Sequence, residues 1–254
     1  MDPALQRELE YHQRLYGGFA QRHFARPAVR ALRAHMTARL LRLGKTGRVL
    51  SLGCGIGDTE LLLAPHVAEI TGIDISPAAV RQAREDAARR GARNARFLEA
   101  TLEAAPPGPY DLIFGIFFLH HLPDATLAAA PAQISALLAP GGVFYSLDPS
   151  RRRLSGAVGN LLFPALMRKY QSPDERELAP EETAALFLRA GFECRAGMYD
   201  FVSSPLAGLL PGWAAGYRAA RVLDEALVRT PVLKRYGSNF EIVATRPPRP
   251  GSRT

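Results

Sequence analysis

The chain has 254 residues, 47% of them hydrophobic, which supplies one substantial core and excludes a disordered or fibrous chain. It carries 32 Lys+Arg against 24 Asp+Glu, a net charge of +8, and all of those cations except Lys45, Lys169 and Lys234 are arginines. The excess is spread along the chain apart from Arg151–Arg153 and the tail, and no nucleic-acid signature accompanies it, so nucleic acid is not an expected partner.

In chain order, residues 4–16 are rich in helix formers but mostly polar. Residues 27–43 repeat apolar side chains at helical spacing (Val29, Leu32, Met36, Leu40), with Pro27 suited to the first turn and Gly44 to the stop. Short apolar runs then alternate with helical stretches. Strands are expected at Arg48–Leu52, Val67–Asp74, Ala95–Leu98, Tyr110–Phe114 and Gly142–Leu147, and helices at Asp58–Pro65, Pro77–Arg90 and Pro123–Leu138. Beyond residue 150 the rhythm loosens. Helices are expected at Ser155–Tyr170 and Glu181–Arg189, a strand at Phe192–Met198, a broken apolar helical region over Pro205–Arg235, and a last strand at Asn239–Thr245. This order predicts an α/β fold: a Rossmann-like, seven-stranded, mostly parallel sheet with helices on both faces. N-terminal helices and C-terminal helical lid insertions complete it. Residues 1–44 form an expected helical cap. Residues 45–246 form one domain with insertions at about 151–191 and 200–237, and residues 247–254 a disordered tail.

Cys54 and Cys194 stand far apart and make neither a disulfide framework nor a metal-site spacing, so no metal is expected. The N-terminus has no apolar signal region and no stretch is apolar enough to span a bilayer, so a cytoplasmic location is expected.

The most informative segment is Ser51-Leu52-Gly53-Cys54-Gly55-Ile56-Gly57-Asp58, where a strand ends in glycines and a helix begins. Glycines there permit a tight turn and close approach to a ligand. A dinucleotide fingerprint needs Gly or Ala where Asp58 stands, and a phosphate-binding loop needs a lysine that is absent. Asp74 ends the second strand, where it can accept hydrogen bonds from a vicinal diol; the competing reading is a cap for the helix starting near Pro77.

The glycine segment resembles the first motif of class I S-adenosyl-L-methionine (SAM)-dependent methyltransferases. Three more motifs come after it in order. They are Gly72-Ile73-Asp74-Ile75-Ser76; Tyr110-Asp111-Leu112-Ile113-Phe114 with Leu119-His120-His121-Leu122-Pro123-Asp124; and Leu138-Ala139-Pro140-Gly141-Gly142. The match covers about residues 45–150 and is of the small-molecule methyltransferase type. The resemblance implies SAM as cofactor. It implies that Gly53, Cys54, Gly55 and Gly57 leave room for the methionine part, that Asp74 grips the ribose, and that Ile75 lines the adenine pocket. Thr101 and the Leu102 backbone are implied beside the adenine amino group, and Gly115 and Ile116 beside the methionine moiety. Ser51 and Thr101 depart from the family, which often has acidic residues at these two places.

SAM already carries its reactive methyl, so an acid–base residue is needed only for an acceptor that must lose a proton. His121, then His120, are the candidate bases, against a packing role; Asp148 is a further candidate, against a loop-start carboxylate. The apolar segment with Phe201, Leu209, Leu210, Trp213, Tyr217 and Leu223 reads in three ways. It is a helix packed on the sheet, a pocket for a hydrophobic acceptor, or a helix lying on a membrane surface, with Phe163, Met167, Arg168 and Lys169 on the same surface. Tyr11, His12 and Tyr16 read as closing over the cofactor or as packing. The leading expectation is methyl transfer to a small hydrophobic acceptor at O or N, with C open. The alternatives are a non-catalytic SAM-fold scaffold and an enzyme acting on RNA or protein; the amino-methylating motif of many nucleic-acid enzymes is replaced here by Gly115-Ile116-Phe117-Phe118.

Overall fold

The computed structural model describes residues 25–156 and 176–248, with positions 6, 7, 9, 10 and 23 besides. Most of the helices expected at 4–16 and 155–170, the tail beyond 248, and Tyr11, His12, Tyr16, Phe163, Met167, Arg168 and Lys169 lie outside the described residues.

Helix α1 is Pro27–Leu41, followed by β1 (Arg48–Leu52), α2 (Asp58–Leu63), β2 (Glu69–Asp74), α3 (Pro77–Arg90), β3 (Ala95–Glu99), β4 (Tyr110–Ile116), α4 (Asp124–Leu137) and β5 (Leu138–Pro149). Then come α5 (Pro180–Arg189), β6 (Glu193–Asp200), α6 (Ser203–Leu209), α7 (Ala214–Leu227) and β7 (Asn239–Thr245). The seven strands form one sheet in the order β3-β2-β1-β4-β5-β7-β6. The first five are parallel; β7 is antiparallel to both β5 and β6. The order reverses direction at β1 and β4, so the crevice at their carboxyl ends is where ligands bind in such sheets.

Local chemistry accounts for the boundaries. Pro77 opens α3 after Ser76, whose hydroxyl accepts from the Ala79 N–H (3.3 Å), and Gly91 closes it at φ +65°. The cap is therefore Ser76 and not Asp74. Strand β5 is longer than the apolar run Gly142–Leu147 indicates, because Leu138 pairs with Tyr110 across a bulge and Pro149 pairs with Asn239. Pairing, not hydrophobicity, sets those ends. The apolar region after β6 divides at Pro211–Gly212 into α6 and α7.

Helix α1 packs onto one face of the sheet. Ala28, Leu32, Met36 and Leu40 sit in the same buried cluster as Val49, Leu112, Tyr145 and Val243 from the sheet and Tyr217 from α7. Polar contacts fasten this layer: Arg39 Nε donates to Glu241 Oε2 (2.7 Å), and His35 Nδ1 meets the Tyr217 hydroxyl (3.0 Å). The opposite face packs α4 and α5 around Ile134, Phe144 and Phe187. A groove of about 590 Å³ lined by Pro107, Pro109, Leu138 and Arg246 lies at the amino-terminal edge, away from the glycine loop.

Candidate active site

Gly53, Gly55 and Gly57 have φ of +66°, +53° and +79°, a conformation that side chains rarely adopt. The loop is also crowded from beneath. A Cβ on Gly57 would come within 2.9 Å of the Phe97 ring, and one on Gly53 within 2.8 Å of the Phe118 ring. Cys54 contributes its backbone here, its N–H donating to the Ile73 carbonyl (3.0 Å). Its side chain points into the cluster of Leu61, Val80, Ala83 and Phe97, and burial, followed by the charges of Asp74 and Glu60, pushes the thiol well up.

Asp74 is nearly buried at the end of β2. Its Oδ2 accepts from the Gly55 N–H (2.8 Å) and its Oδ1 from the Ser76 N–H (2.9 Å). The carboxylate is thereby oriented by the glycine loop itself. Ile75, half-buried, comes next in the chain. The Ala100 N–H donates to the Asp74 carbonyl (3.1 Å), which brings the Thr101–Leu102 turn to the same edge; the Leu102 side chain is buried in the core. Gly115 pairs with Leu52 on one side and Ser146 on the other, so Ile116 and the ends of β1 and β5 converge.

Beyond β4, Phe117 has φ +57°, uncommon for a bulky residue, and its N–H donates to the Leu147 carbonyl (2.7 Å). This turn sets the Phe118 ring against Gly53 and Gly115. His120, two residues on, is almost fully buried. Its Nδ1 lies 2.9 Å from Asp148 Oδ1, and its backbone N–H reaches the same oxygen (3.2 Å). Ser146 Oγ donates to Asp148 Oδ2 (2.6 Å), and Asp148 is fully buried. His121, half-buried, lies against His120 with ring centroids 4.0 Å apart and the planes tilted by 39°. Of the two histidines the structure joins His120 to Asp148, and Asp148 holds that histidine instead of opening a loop.

Two residues beside the loop are not evident from the sequence. The Ser51 hydroxyl donates to Glu60 Oε1 (2.5 Å), so Glu60 brings a carboxylate to the place where the resemblance marks its absence. Burial pushes the Glu60 carboxyl up to about 7. Its neighbour Thr59 carries a buried hydroxyl without a hydrogen-bond partner among the described residues. A signal did exist: Asp58-Thr59-Glu60 is a polar turn directly before Leu61-Leu62-Leu63. A left-handed glycine cradle, an oriented carboxylate at the strand end and an unmet buried hydroxyl fit an adenosyl amino acid such as SAM.

Residues 49–142 match the family described as methyltransferase domain. The chain is 35% identical over 107 residues to the aklanonic acid methyltransferase DauC of a Streptomyces species, covering 40% of this chain and 48% of that one. It is 30% identical over 151 residues to the ubiquinone biosynthesis O-methyltransferase of Xanthomonas euvesicatoria, covering 58% and 62%. It therefore spans about half to under two thirds of the length of these relatives. The solved complex of DhpI with SAH superposes with a TM-score of 0.62 at 18% identity, over 98% of this chain and 100% of that one. The fold is Rossmann-like and is shared with that complex. Within it, residues 49–142 of this chain carry a methyltransferase domain.

Proposed function

We propose that the protein transfers a methyl group to a small hydrophobic acceptor, at an oxygen or nitrogen that must lose a proton. Bound SAM supplies an electrophilic methyl on a sulfonium. The chain holds the cofactor through the glycine loop and Asp74, and it holds a base beside them. The observation that carries this reading is the buried His120–Asp148 contact at the carboxyl edge, two residues from the ring packed on Gly53. With the Nδ1–H donating to Asp148, the imidazole keeps its lone pair on Nε2, the arrangement a general base requires. Ser146 holds Asp148 in turn. His120 is thus the proposed base and Asp148 its positioning residue; His121 is a packing partner in this reading.

The apolar acceptor is supported by the surface of the C-terminal insertion. Leu209, Leu210, Trp213, Val222 and Leu223 are exposed, Val222 to 71%. Single exposed apolar residues are ordinary, but five within one insertion support the reading of an apolar binding surface. The two methyltransferases compared with this chain act, by name, on aklanonic acid and in ubiquinone biosynthesis, which suits a non-polar acceptor. Among the described residues no helix is long and apolar enough to cross a membrane.

The test is a screen of phenolic, quinol and amine acceptors with SAM, reading release of the demethylated cofactor. Turnover is expected with at least one apolar phenol or amine, and His120→Gln is expected to lower kcat by about 10²-fold or more while SAM affinity stays within a factor of about 3. A His120→Gln enzyme with unchanged kcat across pH would remove the base from the proposal. Turnover confined to RNA or protein would replace the acceptor class.

A further inference from the structure

Two acidic side chains flank the glycine loop, and they differ in what they hold. Asp74 is engaged by two backbone N–H groups and is the proposed contact for the diol end of the cofactor. Glu60 is 3% exposed and is met by two neutral donors, the hydroxyl of Ser51, two residues before Gly53, and its own backbone N–H. An ionised carboxylate in such a place is costly unless a cation joins it. SAM, the cofactor of the proposed reaction, carries one at the end opposite its ribose: the α-ammonium group of its amino acid. We propose that Glu60, held by Ser51, is the acceptor for the cofactor's α-ammonium, so that the carboxylate comes from the first turn of α2 and not from the end of β1. This rests on SAM as the cofactor and adds a residue to its site.

Among the described residues, few charged groups act on Glu60. Arg33 from α1 and Asp58 from its own helix act on it, in opposite senses, and the Cys54 thiol lies within its field; burial outweighs them all and raises the carboxyl to about 7. A cation arriving beside Glu60 draws the carboxyl down again, so cofactor binding near pH 7 releases about half a proton. Neither effect depends on turnover.

Calorimetry separates this role from a structural one. SAM and 5′-methylthioadenosine share the nucleoside; SAM adds the amino acid, and its sulfur is a sulfonium where methylthioadenosine has a neutral thioether. In Glu60→Gln, SAM affinity is expected to fall about 10- to 100-fold, the loss of a charge-assisted contact, with methylthioadenosine changed less than about twofold. For the wild type, titrations in two buffers of different ionisation enthalpy at pH 7 are expected to show proton release with SAM and none with methylthioadenosine. The second measurement needs no variant and stands even if Glu60→Gln fails to fold. Equal weakening of both ligands, no weakening of either, or no SAM-specific proton release overturns the assignment to Glu60 while leaving the cofactor in place. Wild-type protein that binds neither ligand overturns the cofactor reading along with it.

Discussion

At the scale of single residues, the site depends on carboxylates whose surroundings set their state. Asp74 is positioned by the Gly55 and Ser76 N–H groups, so Asp74→Ala removes the proposed ribose contact and loosens the loop together. SAM affinity in this variant is expected to fall by 10-fold at the least, corresponding to about 1.4 kcal/mol, by calorimetric titration against wild type. Glu60 carries a stability consequence of its own. Its folded carboxyl titrates at about 7 against an ordinary 4.5, so the folded state binds the proton more tightly than the unfolded one. Its contribution is most favourable below pH 4.5 and is lost as pH rises through 7. The full difference is about 3 kcal/mol. Glu60→Gln is therefore expected to unfold at a higher temperature than wild type at pH 8 without ligand, with the gap closing toward pH 5. A site residue that destabilises the free protein is what a ligand-binding carboxylate predicts; a purely structural glutamate would lower the melting temperature when removed.

At the scale of elements, the C-terminal insertion hangs on one buried carboxylate. Asp224, on α7, accepts from the backbone N–H groups of Phe201, Val202 and Ser203 at 2.9–3.0 Å, the three that lead into α6. No side chain within the α6 turn caps it. Beside it Asp200, also fully buried, accepts from the Ser204 N–H and the Asn239 amide, and binds the end of β6 to the start of β7. Burial raises the Asp200 carboxyl, with Asp224 adding to the effect. Asp224→Ala leaves three donors without an acceptor, at an expected loss of about 3 kcal/mol, on the order of 10 °C in Tm for a chain of this size. Differential scanning calorimetry checks it. A change under about 1 kcal/mol would mean that water or a neighbouring group replaces the carboxylate.

At the scale of the whole molecule, helix α1 and the carboxyl-terminal insertion form a single layer over one face of the sheet. The Ala28 N–H donates to the Pro211 carbonyl (2.8 Å), Arg39 reaches Glu241, and His35 reaches Tyr217, so α1 is joined to the α6–α7 loop, to β7 and to α7. Burial of Val29, Leu32, Met36 and Leu40 at roughly 1.5–3 kcal/mol each matches the whole stability of an ordinary domain, about 5–15 kcal/mol. Deleting residues 1–44 is thus expected to abolish cooperative unfolding and leave insoluble or loosely packed protein, read by near-ultraviolet circular dichroism. A truncated chain with an intact thermal transition would show that the sheet folds without this segment.

Much of this was legible in the chain because it stems from short-range chemistry. Three glycines that the loop requires at positive φ, a proline and a glycine bounding Pro77–Arg90, and apolar runs of strand length identify the alternating fold and the Asp74 edge from local sequence. Other features joined residues that only the folded sheet brings together. Asp148 lies 28 positions from His120, and nothing within the His-His pair distinguishes the histidine that it holds. Glu60 lies nine positions from Ser51, but the bond exists only because the positive-φ loop folds α2 back over β1. The antiparallel insertion of β7 between β5 and β6, which stretches β5 to Pro149, is likewise a matter of pairing and not of the strand's own residues. Backbone conformation and amphipathic period are properties of neighbouring residues and are written in the sequence; the partner of a buried charge is a property of the packed chain, and the tertiary structure alone decides it.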